Sequence, residues 1–215
     1  DTGTFVAPTL IELDGAVQLT KEVFGPVLHV VRYARRDLDS LIDQINGLGY
    51  GLTFGLHTRL EDTIAHVTGR IRAGNIYVNR DIIGAVVGMQ PFGGSGLSGT
   101  GPKAGGPLYV GRLSRAPLTL PGTSLTLPGP VGESEHYRLE ARGRVLLLPQ
   151  SPGGLARMVA AASARGNQMV VDISVIGAEP ARTIAPKAEL VADWASTDVD
   201  AVVAAIDAID APVVL

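Results

Sequence analysis

The sequence predicts an α/β fold arranged in two consecutive units, and three features of the chain support this prediction. Strand-like and helix-like segments alternate between residues 5 and 79, which is the order of an α/β sheet. A second alternation of the same kind starts at Arg144. Residues 116–140 between them are interrupted by Pro and Gly. We therefore predict units at residues 1–115 and 141–215, joined by a linker or an interaction arm.

The first unit is predicted from two extended segments followed by helices and strands in turn. The segment Phe5–Ile11 is extended, with a Pro near its edge, and Val27–Tyr33 is rich in β-branched residues, as is typical of a buried strand. Apolar residues then recur at the spacing of one helix face over residues 38–45 and again over residues 61–71. Two further strands are predicted at Tyr50–Thr58 and Ile76–Asn79.

The second unit is predicted to be a small sheet of Rossmann type. Strands are expected at Val145–Leu148 and Met169–Asp172, with a helix between them that begins at an N-cap, Ser151, and a Pro at its first position. A further helix is predicted after Thr197, and the apolar face of this helix comprises Val199, Val202, Val203 and Ile206. A last strand is predicted at Val213–Leu215. The loop 149–154 lacks G-x-G-x-x-G, which argues against a phosphate site there.

Residues 79–107, which we call the glycine loop, are the most distinctive stretch of the chain. Glycine is too frequent there for a long helix or a regular strand, and long shaped loops usually bind or gate a ligand. Gly94–Gly99 spells G-x-G-x-x-G, but Pro91 and Pro102 flank it where a strand and a helix would be required. Lys103 follows Pro102 rather than Gly, so the loop is not a P-loop either. Neither Ser95 nor Ser98 has the spacing of a nucleophile elbow.

The remaining interpretation of the glycine loop is a surface of backbone N–H donors beside one aromatic ring, Phe92. Such donors can bind a carboxylate without a positive side chain, and a neighbouring ring can line the aliphatic part of a ligand. The pattern predicts a site for a small, acid-bearing substrate. A purely structural glycine turn with a packed Phe remains open on these residues alone.

Composition excludes several classes of function. The net charge is −3 and no basic run is present, so we expect no nucleic-acid partner. No segment has the roughly 20 consecutive apolar residues of a transmembrane span. The chain contains no Cys, which excludes disulfides and thiolate chemistry supplied by these residues. We expect no metal site, because no metal-binding spacing joins the four histidines: His29, His57, His66 and His136.

A family resemblance is carried by four motifs in a fixed order. They resemble the C-terminal half of the aldehyde dehydrogenase superfamily, and they are Lys21–Pro26, Tyr50–Thr58, Ala73–Asn79 and Gln90–Gly94. The run from Ile83 to Pro107 is more narrowly similar to the glutamate-semialdehyde (pyrroline-5-carboxylate) dehydrogenases, including the bacterial bifunctional proline utilisation enzymes. The resemblance covers about residues 1–115.

The resemblance implies two residues that bind the cofactor, NAD. Glu22 would accept hydrogen bonds from the hydroxyls of the nicotinamide-side ribose, since an ionised carboxylate only accepts. Phe24 would pack beside the nicotinamide and help to orient it. Judged without the family, Glu22 is a solvated acid at a strand end and Phe24 is a core residue.

The resemblance also implies a substrate anchor in the glycine loop. The backbone of Gly84 and Ala85 would hold the α-carboxylate of the substrate, and Phe92 would line its aliphatic chain. Some relatives carry Ser at the position of Ala85, so a hydroxyl contact would be missing here, although the backbone donors would persist.

The resemblance implies that this chain is one part of a larger enzyme. The chain begins at Asp1 and has no Cys, so we predict no catalytic residue within it and expect the nucleophilic Cys upstream. The implied reaction is NAD-dependent oxidation of L-glutamate γ-semialdehyde to L-glutamate in proline catabolism. An FAD-dependent proline dehydrogenase upstream in the same polypeptide would supply the aldehyde by channelling.

Further expectations concern assembly and location. The resemblance implies a homodimer assembled through an arm at residues 116–140, a non-catalytic lid at 141–215, and a cytoplasmic enzyme with a peripheral inner-membrane association through its upstream part. Two alternatives stay open: a dehydrogenase for another ω-semialdehyde such as succinate semialdehyde, or a non-catalytic assembly and lid module.

Overall fold

The computed structural model describes residues 3–99, 101–113, 124–205 and 212–214. The chain divides into two compact units, Asp1–Leu113 and Ser114–Leu215. Both mix helices and strands, so the α/β character predicted from the sequence is present in each of them. None of the helices in the described ranges is long and apolar enough to cross a bilayer.

The first unit contains three separate two-stranded sheets. β1 pairs with β2 and β4 with β5, both in parallel, whereas β3 and β6 are antiparallel. The strands are β1 (Thr9–Leu13), β2 (Val27–Val31), β3 (Tyr50–Gly51), β4 (Thr53–Leu56), β5 (Asn75–Val78) and β6 (Ser95–Gly96). The helices are α1 (Leu38–Gly47), α2 (Glu61–Thr68) and α3 (Tyr109–Leu113).

The core of the first unit lies where α1 and α2 pack on the β4–β5 pair. Ile42, Val67 and Ile71 are its buried residues, and they have at most 5% of their surface exposed. Phe54 and Ile76 of β4 and β5 pack against them, which fixes the position at which β5 ends and the glycine loop begins. Burial of these side chains supplies the hydrophobic stabilisation of this half.

Several expectations for the first unit are corrected. The alternating elements do not form one continuous parallel sheet among the described residues. The predicted strand Tyr50–Thr58 is divided at Leu52, because β3 pairs with β6 and β4 with β5. The segment predicted as a buried strand, Val27–Tyr33, forms β2, but its Leu28 is 59% exposed. The predicted helices and the strand at Ile76–Asn79 are confirmed within a few residues.

The second unit contains a five-stranded sheet in the order β11-β10-β9-β12-β13. Four of these strands are parallel, and the edge strand β13 is antiparallel. They are β9 (Arg144–Leu148), β10 (Gln168–Asp172), β11 (Glu189–Val191), β12 (Ala201–Ala205) and β13 (Pro212–Val214), accompanied by α4 (Pro152–Ser163) and α5 (Ala178–Ile184). The core joins Leu147 and Val171 of the sheet to Leu155 and Met158 of α4.

The start of α4 confirms the predicted N-cap. The Ser151 hydroxyl accepts a hydrogen bond from the Gly154 N–H at 3.0 Å, and Pro152 occupies the first helical position. This bond satisfies one of the N–H groups that a helix leaves unpaired at its beginning. The predicted strands at 145–148 and 169–172 are also confirmed, as β9 and β10.

The helix predicted after Thr197 is wrong. Residues 201–205 form the strand β12 beside β9, and Val203 belongs to the apolar core. The Asp200 carboxylate also accepts the N–H of Arg144 at 2.7 Å, which fixes this pairing at its start. Val at four-residue spacing fits a helix face, but β-branched residues are equally suited to a buried central strand, and the pairing with β9 decides. Ile206 lies outside the described residues.

The region predicted as a linker or arm is described from Ser124 onward. There an antiparallel pair is formed by β7 (Ser124–Leu127) and β8 (Glu135–Arg138). Residues 114–123, which include the start of the predicted arm at Ala116, lie outside the described part of the chain. The antiparallel pair β7–β8 lies within the region predicted as an arm, and its role in assembly stays a prediction.

Candidate functional site

The glycine loop begins at a sharp turn after β5. Asn79 has a φ of 57°, in the left-handed region that few residues other than Gly adopt. Its side-chain oxygen accepts the N–H of Thr58 at 3.0 Å, and its own N–H donates to the Leu56 carbonyl at 2.8 Å. Asn tolerates this conformation better than most residues because its short side chain can bond locally. The turn thus directs the chain away from the β4–β5 pair.

The middle of the loop is fastened to β5 by the side chain of Asn75. Its amide nitrogen donates to the Pro91 carbonyl at 2.9 Å, and its amide oxygen accepts the N–H of Gly93 at 3.2 Å. The two groups that Asn75 holds are the neighbours of Phe92 on either side. Gly74 adds close contact, since a Cβ at that position would collide with the carbonyl oxygen of Gly93.

Lys103 makes the second attachment of the loop. Its ammonium donates to the carbonyl oxygen of Gly74, to Asn75 Oδ1 at 3.0 Å and to the Gly93 carbonyl oxygen at 3.2 Å. We call these three oxygen atoms the oxygen cage. Burial of the ammonium lowers the pKa of Lys103 to about 8, because a charge is less stable away from water. The three oxygen dipoles compensate part of that loss.

The Phe92 ring is half-buried and its backbone is held on both sides. The Phe92 N–H donates to the Ala104 carbonyl at 3.0 Å, and the Ala104 N–H donates back to Phe92 at 2.9 Å. This bridge joins the two limbs of the loop next to Lys103. The backbone of Phe92 is therefore fixed in position, which is consistent with the hypothesis that this residue lines a ligand.

The N–H groups of Gly84 and Ala85 differ from those on either side of them. Ile83 N–H donates to Asp81 Oδ1 at 3.1 Å, and Val86 N–H donates to Gln90 Oε1 at 2.8 Å. In the hydrogen bonds of the described residues, no partner is found for the N–H of Gly84 or of Ala85. Both residues are half-buried, and a Cβ on Gly84 would meet no atom within 4 Å. Two adjacent N–H donors are therefore without a partner among the described residues, and paired backbone donors are suited to a carboxylate.

Gln90 shapes this turn from within. Only 7% of its surface is exposed, and its N–H donates to the Val86 carbonyl at 2.9 Å while its side chain accepts from Val86. A buried amide bonded twice to one residue closes the turn 86–90 directly after Gly84 and Ala85.

The predicted cofactor residues lie on another segment of the first unit. Glu22 and Phe24 belong to the irregular stretch before β2, and both are exposed. The Phe24 ring has 96% of its surface exposed, so the alternative that it is a core residue is wrong for this chain. A shallow, open groove beside it is lined at its rim by Pro8, Thr9, Gly25 and Pro26. A carboxylate and a ring in this exposed position are accessible to a ligand.

A cluster of charged residues links α1 to α2 outside the loop. His66 Nε2 and Arg70 Nη1 lie 2.6 Å and 2.7 Å from Asp39 Oδ1, and Arg70 Nη2 lies 2.8 Å from Asp43. The hydrogen bond from His66 and the charge of Arg70 lower the pKa of Asp39. The cluster is exposed on the helix surface and joins α1 to α2 through ion pairs, each of which contributes little to stability. Among the described residues no group of His, Asp and Glu is arranged for a metal ion.

Sequence reasoning missed three residues that organise the site: Asn75, Gln90 and Lys103. All three lie within the segments that carry the family resemblance, but the sequence pattern predicts no role in shaping the loop for any of them. The sequence does contain one signal of this role, because these polar side chains border a stretch of glycines. A glycine-rich segment has few side chains of its own, so its shape requires hydrogen bonds supplied by its neighbours.

Comparison with known proteins gives a family match and several relatives. The model of the aldehyde dehydrogenase family matches residues 1–115. The bifunctional protein PutA of Rhizobium meliloti is 54% identical over 209 residues, covering 79% of this chain and 17% of PutA. The 1-pyrroline-5-carboxylate dehydrogenase of Bacillus subtilis (strain 168) is 41% identical over 110 residues, covering 50% of this chain and 21% of that enzyme.

A solved structure is similar as well. The crystal structure of a mutant of Proline Utilization A (PutA) from Bradyrhizobium japonicum is 60% identical, with a TM-score of 0.50 over 52% of this chain and 12% of that one. The chain thus spans about a sixth of the length of the PutA relatives it matches. The match to the Rhizobium protein covers 79% of 215 residues, about 170, and so extends beyond the 113 residues of the first unit.

Proposed function

The chain belongs to the aldehyde dehydrogenase family, and from this premise we propose that it is the C-terminal part of an NAD-dependent dehydrogenase that oxidises L-glutamate γ-semialdehyde to L-glutamate. The observation that carries the proposal is the pair of N–H groups at Gly84 and Ala85, which have no partner among the described residues while both neighbouring N–H groups are bonded. A semialdehyde with an α-carboxylate is the substrate class that such a pair suits. The identities to PutA and to 1-pyrroline-5-carboxylate dehydrogenase support the same substrate.

In the proposed site, the glycine loop orients the aldehyde through its acid end. The N–H groups of Gly84 and Ala85 donate to the carboxylate, and the absence of a Cβ on Gly84 leaves room for it. Phe92 lines the aliphatic chain of the substrate, with its backbone fixed by Ala104. Because the carboxylate is held by fixed donors, the aldehyde carbon at the other end has a defined position. The nucleophilic Cys that attacks it belongs to the preceding part of the polypeptide.

Glu22 and Phe24 are proposed to hold NAD, which accepts the hydride when it is bound. The exposed carboxylate of Glu22 is suited to a ribose diol, because it only accepts hydrogen bonds. The ring of Phe24, 96% exposed, presents a flat apolar surface of the kind that stacks beside a nicotinamide. Both residues therefore fit the cofactor that the family uses.

The remaining parts of the proposal concern the whole polypeptide. The names of the PutA relatives, bifunctional and proline utilization, support an FAD-dependent proline dehydrogenase upstream that channels its product to this site. The second unit, whose strands follow the order of a Rossmann-like sheet, is proposed to be a non-catalytic lid. Extension of the Rhizobium match beyond the first unit supports its membership in the same enzyme. We place the enzyme in the cytoplasm as a homodimer, with β7–β8 as an assembly arm.

The test is steady-state kinetics of the intact polypeptide with glutamate semialdehyde and succinate semialdehyde. We expect a higher kcat/KM for glutamate semialdehyde, and a preference for succinate semialdehyde would remove the substrate assignment. Gly84→Val is expected to raise the KM for the semialdehyde about tenfold or more, because its side chain would fill the space proposed for the carboxylate and cost a charge-assisted hydrogen bond of about 1.5–3 kcal/mol. Phe92→Ala is expected to have an effect of the same order, because it removes an apolar surface whose burial contributes about 1.5–3 kcal/mol.

The control for this test is the KM for NAD, together with a matched substitution elsewhere. Gly153→Val makes the same change at an exposed glycine in the second unit, where a Cβ would also meet no atom within 4 Å. We expect Gly153→Val to leave both constants unchanged. An equal rise of the two KM values in Gly84→Val would contradict the assignment of this glycine to the carboxylate.

A further inference from the structure

We propose that Lys103 is a positioning residue for the substrate: its ammonium, held in the oxygen cage, fixes the segment around Phe92 against β5 and thereby sets the KM for the aldehyde. This inference rests on the proposed function of the same loop. Lys103 is not assigned to contact with substrate or cofactor, and it acts through the residues that it holds.

The first argument is the match between donors and acceptors. A Lys ammonium has three N–H donors, and the cage supplies three oxygen atoms, from Gly74, Asn75 and Gly93. Two of these oxygens belong to the start of β5 and the residue before it, and the third belongs to the loop. One side chain therefore joins the strand to the loop at three points. A planar guanidinium has the charge but not this geometry, and a neutral amide has neither.

The second argument is the position of Phe92 between the attached groups. The residues on both sides of Phe92 are bonded to Asn75, and Asn75 Oδ1 is itself bonded to Lys103. The residue after Lys103 is Ala104, which pairs with the backbone of Phe92 in both directions. Loss of the ammonium would leave three oxygens without this donor and would remove the second attachment, while the bonds of Asn75 to Pro91 and Gly93 would remain. The ring of Phe92 is the group whose position then changes.

The third argument concerns charge. The partners of the ammonium among the described residues are oxygen dipoles, and none of them is a carboxylate. A half-buried charge of this kind is costly, as the lowered pKa of Lys103 indicates. An apolar side chain would avoid that cost but would leave the three oxygen atoms of the cage without this donor.

The experiment replaces Lys103 in the intact polypeptide. Lys103→Met removes the charge with little change in length, and Lys187→Met makes the same change at an exposed lysine of the second unit. For Lys103→Met we expect the KM for glutamate semialdehyde to rise about tenfold, since small displacements of positioning residues have effects of this order or larger. The KM for NAD is expected to stay within about twofold, and Lys187→Met is expected to change neither constant.

Hydrogen exchange on the same proteins separates this inference from the proposed function. For Lys103→Met we expect faster exchange in peptides covering residues 91–96 and 103–106, and no change in peptides from α4. If the wild-type enzyme does not oxidise the semialdehyde, the proposed function fails, and the positioning role fails with it only if the exchange rates are also unchanged. With an active wild type, unchanged kinetic constants or an equal rise in both would overturn the inference. If Lys103→Met does not fold, Lys103→Gln, which keeps two donors, takes its place. The change in the KM for the semialdehyde is then compared with the change in the KM for NAD in that variant.

Discussion

At the residue scale, the shape of the glycine loop depends on a few polar side chains rather than on an apolar core. Ordering a backbone residue costs about 1–2 kcal/mol, and glycine contributes no side-chain contacts in return. Asn75, Gln90 and Lys103 supply hydrogen bonds at the points where the loop approaches β5 or turns back on itself. Removal of one such side chain leaves partly buried partners unpaired, so each has a larger effect than its number of atoms suggests.

Lys103 gives a prediction about titration. Burial lowers its pKa to about 8, so the unfolded chain keeps this proton to a higher pH than the folded chain does. Below about pH 8 the folded state therefore bears the full cost of the buried charge, and its stability rises as the pH increases from there toward the model-peptide value of about 10.5. The titration can be followed by ¹³C NMR of the lysine Cε atoms.

We expect one Cε signal to titrate near pH 8 and to be missing in Lys103→Met, which assigns it. Chemical shifts measured between pH 6 and 11 give the midpoint directly. A midpoint for Lys103 at the ordinary lysine value would mean that the ammonium is solvated, and the oxygen cage would then lose its role.

At the scale of elements, the end of β5 depends on the conformation of a single residue. Asn79 has a positive φ and accepts a hydrogen bond from Thr58. Substitutions at Asn79 can therefore separate the contribution of backbone strain to stability from that of the hydrogen bond. Asn79→Ala loses the bond and is strained by about 1–2 kcal/mol, whereas Asn79→Gly loses the bond without the strain. We expect destabilisation of about 2–3 kcal/mol for Ala and about 1 kcal/mol for Gly.

Hydrogen exchange of the amides in β4 and β5 measures this local stability. Amides of β9 in the second unit provide the internal control, because they lie in another compact unit. If the two variants were equally destabilised, the left-handed turn would not be a strained position, and the preference for Asn would have to come from its hydrogen bond alone.

The elements also indicate where sequence reasoning succeeds. The N-cap at Ser151, the strands β9 and β10 and the helices α1 and α2 depend on local signals, and these were predicted. The strand β12 was predicted as a helix because its Val spacing fits both structures, and the choice is made by β9, more than 50 residues earlier. The division of residues 50–56 into β3 and β4 likewise depends on which strands pair, which local patterns do not contain.

For the site, the type of surface was predictable but its supports were not. A glycine-rich loop with one ring indicates backbone donors, and the N–H groups of Gly84 and Ala85 have no partner among the described residues, while their role in binding a carboxylate stays a prediction. The oxygen cage could not be predicted, since Lys103 lies about 30 residues from Gly74 and only the folded loop brings them together. The exposure of Phe24 is a second result that apolar character alone did not predict.

At the scale of the whole molecule, the division into two units separates the proposed roles. All the proposed ligand contacts, from Glu22 to Phe92, belong to the first unit, and the five-stranded sheet forms the core of the second. Removal of residues 117–215 from the intact polypeptide therefore leaves every proposed NAD contact in place. The same deletion removes the proposed arm, β7–β8, and the proposed lid together.

We expect this deletion to leave the Kd for NAD within about twofold, because binding depends on contacts that the first unit retains. Loss of the dimer or of channelling is expected, since each is assigned to the removed part. Calorimetry measures NAD binding, light scattering measures the oligomeric state, and a lag in NADH formation from proline reports lost channelling. Loss of NAD binding by a truncated protein that is still folded would refute the lid assignment, because the second unit would then contribute to the cofactor site. Retention of both the dimer and channelling would equally refute it, and the second unit would have to serve another function.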